Sequence, residues 1–197
     1  MEVPNYILWI TLPITFGCIC LADNIMYILG GLEFVEGESL LRIIALTIIF
    51  SPLSAYFQYQ VLVASGEEKV GLYCAIVTSI VSLVLNILLI PAIGLVGAGI
   101  VRVIAEFTAV CTRYLVVKRR LGYCHIRLIN RSTAVYLLAA SIMAGIVTLI
   151  RIVVHDIYLS FVVAVIVGVT VYFGFLFLAR EKITISLVNK VIMRLAR

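Results

Sequence analysis

Nearly the whole chain consists of apolar runs that are long enough to cross a membrane. Of the 197 residues, 64% are hydrophobic and only 13% are charged, and the mean hydropathy is +1.22. A soluble domain of this size has too little interior to bury so much apolar surface, so the composition predicts a polytopic membrane protein. Continuous runs of this length are typical of membrane-spanning helices rather than strands.

Six such runs divide the chain and predict an all-α transmembrane bundle of about six spans. A transmembrane domain is expected over residues 1–179, followed by a basic tail over 180–197 that forms either a surface-lying amphipathic helix or a solvated segment. The predicted spans are approximately 5–22, 40–63, 70–91, 96–117, 133–154 and 158–179.

The orientation of the bundle follows from its basic residues. These concentrate in the 118–131 loop and in the tail, which lie on the same side of a six-span bundle, whereas the 23–39 loop is acidic. Since basic loops stay in the cytoplasm, the chain is predicted to be a multi-pass protein of the cytoplasmic (inner) membrane with both termini inside. This placement also accounts for the net charge of +5, so no nucleic-acid partner is expected; the bilayer itself is the surrounding partner.

Patterns that would indicate an enzyme, a metal site or a cofactor are weak. The five cysteines have no metal-ligand spacing, and four of them fall in predicted spans, where small thiols pack well (Cys18, Cys20, Cys74 and Cys111). His155-Asp156 stands in a short turn without a nucleophile beside it, and no phosphate-binding GxxxxGK[ST] motif occurs. We therefore expect neither catalysis nor a bound cofactor or metal.

An arginine and a glutamate inside the fourth predicted span are the strongest candidates for function. Arg102 and Glu106 are four residues apart and share one helix face with Arg113. Ionisable groups at membrane depth are costly and usually face a bundle interior or a wet cavity. Arg102 is expected to bind an anionic headgroup and Glu106 to set its charge or protonation. The alternatives are a structural ion pair for these two and a snorkelling side chain for Arg113.

Other candidates are less specific. Asn86 lies just before the turn at Pro91 and is placed opposite the level of Arg102, on one face with Ser79 and Ser82. Such polar groups also form hydrogen bonds between membrane helices, so packing is the competing interpretation. Arg42, at the outer start of the second span, is expected to meet either a substrate phosphate or the lipid headgroups.

The turn between the third and fourth spans carries a family resemblance. Leu85-Asn86-x4-Pro91-x2-Gly94-x2-Gly97-Ala98 and the upstream Leu62-Val-Ala-Ser-Gly66-Glu-Glu-Lys69 resemble the polysaccharide flippases. These are the exporters of O-antigen and lipid-linked oligosaccharides in the multidrug/oligosaccharidyl-lipid/polysaccharide superfamily. The resemblance covers roughly residues 5–120, and the segment from Asp23 to Gly30 with Arg42 matches more loosely.

This resemblance implies a transporter rather than an enzyme. Two helical lobes would alternate around a cationic cavity and turn a polyprenyl-pyrophosphate-linked oligosaccharide across the membrane for cell-surface polysaccharide biosynthesis. Six spans match one lobe, so the chain resembles the C-terminal portion and would need an N-terminal lobe or a second subunit. Three alternatives remain open: a multidrug and toxin extrusion cation antiporter, a polyprenyl-lipid transferase, and a non-transporting membrane subunit.

Overall fold

A computed structural model describes residues 3–122, 130–154, 156–179, 181 and 183–185, and the described chain is helical with no strand. The predicted all-α class is therefore confirmed. The helices are α1 (Val3–Cys20), α2 (Ala22–Gly30), α3 (Leu32–Val35), α4 (Glu38–Ala45), α5 (Thr47–Ala55), a π-helix (Tyr56–Val63), α6 (Glu68–Arg120), α7 (Arg131–Val153) and α8 (Ile157–Leu178).

Five of these segments are long and apolar enough to cross a membrane: α1, the segment Glu38–Val63, α6, α7 and α8. The six predicted spans map onto these five because the third and fourth are the two arms of α6. Gly94 separates the arms with φ 61° and ψ −139°, a backbone conformation that an L side chain rarely adopts. Ala75 in the first arm and Arg113 in the second line one cleft. In a continuous helix they would be about 57 Å apart, so α6 folds back on itself.

The helices α1, α7 and α8 form one packed group, and its core includes two fully buried tyrosines, Tyr136 and Tyr172. The Tyr172 hydroxyl donates a hydrogen bond to the carbonyl oxygen of Trp9 in α1 at 2.8 Å. The Trp9 indole N–H in turn donates to Thr184 at 3.1 Å. The Tyr172 hydroxyl and the Trp9 indole N–H therefore each have a hydrogen-bond partner.

The helices α4 and α5, the π-helix and α6 form a second group, which α1 joins to the first. Pro52 lies inside α5 and has no backbone N–H to donate, and the helix widens into the π-helix within one turn of it. The second arm of α6 comes close to α4 where Gly99 faces the end of the Leu40 side chain. Phe50 of α5 and Phe107 of the second arm pack edge to face, with their ring centroids 5.4 Å apart.

The acidic segment predicted as an external 23–39 loop is largely helical, because it is built from α2, α3 and the start of α4. Its helix α2 is amphipathic and buries Ala22 and Asn24. The Asn24 amide donates to the carbonyl oxygen of Ile157 at 3.2 Å, and Asp23 pairs with Arg151. These contacts tie α2 to the ends of α7 and α8, so counting acidic residues alone missed a helix with a buried face.

Two predictions involve segments that the structure describes only in part. Most of the tail over 180–197 and His155 lie outside the described residues. Asp156 is described, and its side chain accepts a hydrogen bond from the backbone N–H of Leu159 at 2.8 Å as the N-cap of α8. Its carboxylate therefore has a structural role at a helix terminus.

Candidate functional site

A polar cleft lies between the two arms of α6. It has a volume of about 470 Å³ and opens on one side. The first arm contributes hydroxyl and amide groups, and the second arm contributes the charged groups. The lining residues are Ala75, Thr78, Ser79, Ser82, Leu83, Asn86, Arg102, Ala105, Glu106, Ala109 and Arg113.

Small residues create this space. Gly97 brings the arms together next to the turn, since a Cβ there would lie 2.6 Å from the carbonyl oxygen of Leu89. Farther from the turn, Ala105 and Ala109 form the buried floor of the cleft between the charged side chains. The short side chains of Ala105 and Ala109 thus leave space between the arms beyond the tight contact at Gly97.

Arg102 and Glu106 form the ion pair that their spacing predicts. The Arg102 guanidinium lies 2.6 Å from the Glu106 carboxylate. The arginine side chain is 61% exposed and the glutamate side chain only 14%. The pair therefore places its carboxylate in the cleft wall and leaves most of the guanidinium accessible to a ligand.

The predicted polar face of the first arm is also found in the cleft. Asn86 lies on the same side as Ser79 and Ser82, and all three line the space opposite Arg102 and Glu106. The Asn86 amide donates to the Ser82 hydroxyl at 3.3 Å within the arm. Since a primary amide has two N–H donors, the second is available to the cleft.

Arg113 is held by two polar side chains of the second predicted span. Its Nε donates to the Gln58 side-chain carbonyl at 3.0 Å, and its NH1 donates to the Ser54 hydroxyl. Gln58 reaches this position because Gly71 leaves room for it: a Cβ on Gly71 would lie 2.5 Å from the Gln58 amide nitrogen. Sequence patterns alone did not indicate this cluster, and the available signal was the polar pair Ser54 and Gln58, four positions apart in one predicted span.

Arg42 is not among the residues that line the cleft. It lies in α4 and pairs with Glu38 at 3.1 Å, and both side chains are about one-third exposed or more. Its predicted contact with a phosphate stays a prediction. Glu38 already neutralises the charge of Arg42.

The cleft has the chemistry of an anion site. Two arginines and one glutamate give its lining a net charge of +1, and the serine and asparagine groups add neutral hydrogen-bond donors. Within the described ranges, no group of three or more His, Cys, Asp or Glu residues is arranged to hold a metal ion. A phosphate fits this donor set because its oxygens accept several charge-assisted hydrogen bonds.

Comparisons with known proteins identify the family of the chain. A family model described as lipid II flippase MurJ matches residues 5–171. The chain is 28% identical over 99 residues to the capsular polysaccharide biosynthesis protein CapF of Staphylococcus aureus, which covers 50% of this chain and 25% of CapF. No solved structure matches the chain. Because the family model spans most of its length, the chain belongs to the lipid II flippase MurJ family.

Proposed function

We propose that this chain is part of a flippase that turns a polyprenyl-pyrophosphate-linked oligosaccharide across the cytoplasmic membrane. The observation that carries the proposal is the cationic cleft inside an apolar hairpin, in which Arg102 is largely accessible. A lipid-linked substrate presents a diphosphate attached to a hydrocarbon chain, so it needs a basic polar site within membrane-spanning helices. Membership in a flippase family and the similarity to a capsular polysaccharide biosynthesis protein support the same reading.

Each cleft residue has a role in this proposal. Arg102 contacts the diphosphate, and Asn86 donates from the opposite arm. Glu106 balances the arginine charge when the substrate is absent or couples its release to an ion. The excess of arginine over glutamate favours an anionic lipid over a cationic drug as the cargo.

The membrane orientation and the missing partner belong to the same proposal. The basic 118–131 segment and both termini face the cytoplasm, so Arg113 stands nearer the cytoplasm than Arg102. The chain spans about a quarter of the curated relative that it matches. We therefore propose that a second membrane lobe, in the same polypeptide or in a separate subunit, covers the open side of the cleft.

Complementation of a flippase-deficient bacterial strain tests the proposed function. The chain is expressed alone and joined to a six-helix lobe from a related flippase, and surface polysaccharide is measured. We expect the joined form to restore the polysaccharide and Arg102→Ala to reduce it measurably, since a charge-assisted contact is lost. Unchanged export by Arg102→Ala would exclude the headgroup contact. Failure of both forms to restore export, with normal membrane insertion, would contradict the flippase assignment.

A further inference from the structure

The two arginines of the cleft differ in whether a carboxylate neutralises their charge. Arg102 is paired with a carboxylate. Arg113 donates to the neutral oxygens of Ser54 and Gln58, and no carboxylate lies within ion-pair distance of it among the residues that the structure describes. Its positive charge is thus uncompensated by the surrounding side chains.

The Arg113 guanidinium is also pre-oriented toward a ligand. A guanidinium has five N–H donors, and the contacts with Ser54 and Gln58 engage only two of its nitrogens. Its remaining N–H groups are free of these two contacts, and the residue is part of the cleft lining. Because two neighbours already restrict the long side chain, binding an anion costs less conformational entropy than it would for an untethered arginine.

The two arginines stand at different membrane depths. They lie on one face of the second arm of α6, and eleven residues correspond to about 16 Å along a helix axis. That distance is about half of the ~30 Å hydrocarbon core. The carboxylate of Glu106 lies between them in sequence and beside Arg102 in space. Because different partners hold the two guanidinium groups, an anion meets them as separate groups along the cleft.

We propose that Arg113, with Ser54 and Gln58, is a separate diphosphate-binding station, from which the headgroup passes along the cleft to Arg102. The proposal rests on the proposed function and adds a second site and an order of affinities. At Arg113 an anion meets a full positive charge, whereas at Arg102 it must compete with Glu106. Binding is therefore tighter at the cytoplasmic station and weaker at the outer one, which favours entry on one side and release on the other.

Equilibrium binding of a short polyprenyl diphosphate tests the two stations. The full chain is reconstituted in phosphatidylcholine nanodiscs, and geranylgeranyl diphosphate is compared with geranylgeraniol, which has the same tail without phosphate. Loss of charge-assisted hydrogen bonds predicts about tenfold or greater weakening for Arg113→Gln and less than about threefold for Arg102→Gln. Glu106→Gln is expected to tighten binding, since it frees Arg102 from its competitor.

Two further variants separate charge from folding. Arg113→Lys keeps the positive charge but not the planar guanidinium fork, so it is expected to retain part of the binding that Arg113→Gln loses. Arg119→Gln removes an exposed arginine of the same helix outside the cleft and is expected to leave binding unchanged. Monodisperse elution and an unchanged unfolding midpoint of each variant show that it is folded.

The possible failures are distinguishable. Equal losses for Arg113→Gln and Arg102→Gln, or no tightening by Glu106→Gln, would overturn the ordered stations while leaving an anion site. Arg113→Lys binding as poorly as Arg113→Gln would overturn a charge-based role for Arg113. If the unaltered chain binds geranylgeranyl diphosphate no better than geranylgeraniol, the headgroup site itself and the proposed function built on it are wrong.

Discussion

The close backbone approach at Gly97 gives a stability prediction. Gly97→Ala adds a Cβ that would lie 2.6 Å from the carbonyl oxygen and 2.9 Å from the carbonyl carbon of Leu89. These are backbone atoms of the first arm, so relief requires the two arms to separate. Overpacking of this kind typically costs about 1–3 kcal/mol. At roughly 2–4 °C per kcal/mol for a chain of this size, the clash should lower the unfolding midpoint by about 2–12 °C relative to a Gly→Ala change that meets no clash.

Two other glycines provide matched controls. Gly99→Ala places its Cβ 2.6 Å from Leu40 Cδ1, the end of a flexible side chain that can rotate away. Gly145→Ala, in α7, meets nothing within 4 Å. All three changes gain the same helix propensity of about 1 kcal/mol from replacing glycine by alanine, so differences among them isolate the clash.

Thermal unfolding in mild detergent, followed by circular dichroism, measures the three midpoints. The expected order of stability is Gly145→Ala highest, Gly99→Ala slightly lower and Gly97→Ala clearly lowest. Labelling of the buried Cys74 in the first arm adds a local readout, because separation of the arms should raise its reactivity in Gly97→Ala. A Gly97→Ala variant as stable as Gly145→Ala would refute the argument that this contact closes the hairpin.

Three further outcomes follow from individual contacts. Gly71→Ala should displace the Gln58 side chain and weaken diphosphate binding at Arg113, with little effect on the unfolding midpoint. Unchanged binding would contradict the argument that Gly71 makes room for Gln58. Asp156→Ala should lower stability by about 1 kcal/mol through loss of the α8 cap, and Asp156→Asn should restore most of it in thermal unfolding. In intact cells, a membrane-impermeant maleimide should label Glu36→Cys and not Arg120→Cys, and the reverse pattern would invert the proposed orientation.

Much of the helical framework could be predicted because span boundaries depend on local chemistry. The fifth predicted span, 133–154, is observed as Arg131–Val153, where Asn130 accepts from the backbone N–H of Thr133 as the N-cap. The break between the third and fourth spans was expected at Pro91 and Gly94, and it occurs at Gly94. Hydropathy and the conformational freedom of glycine depend on only a few neighbouring residues, so a single sequence is enough to predict these boundaries.

The candidate site could be predicted only in part, since some of its contacts join distant positions. The Arg102–Glu106 pair is local and was found. Arg113 and Gln58 are 55 positions apart, and their contact depends on the helix geometry after Pro52 and on the missing side chain at Gly71. No periodicity within one helix contains that information. The helix α2 was missed for another reason, since its buried face was outweighed by the acidic residues around it.

The exposed first arm of α6 has a consequence for how this sequence tolerates change. The most apolar eighteen-residue window of α6 contains no buried residue. Ile80, Val84 and Ile87 are exposed apolar side chains of this arm. Exchanges among leucine, isoleucine and valine at these positions should therefore change stability very little. Ala105 and Ala109, in the second arm, should instead be sensitive to side-chain size, because every added methyl group narrows the cleft. A mutational scan of this hairpin should therefore separate the exposed apolar positions of the first arm, which are sensitive to hydrophobicity, from the cleft-floor positions of the second arm, which are sensitive to side-chain size.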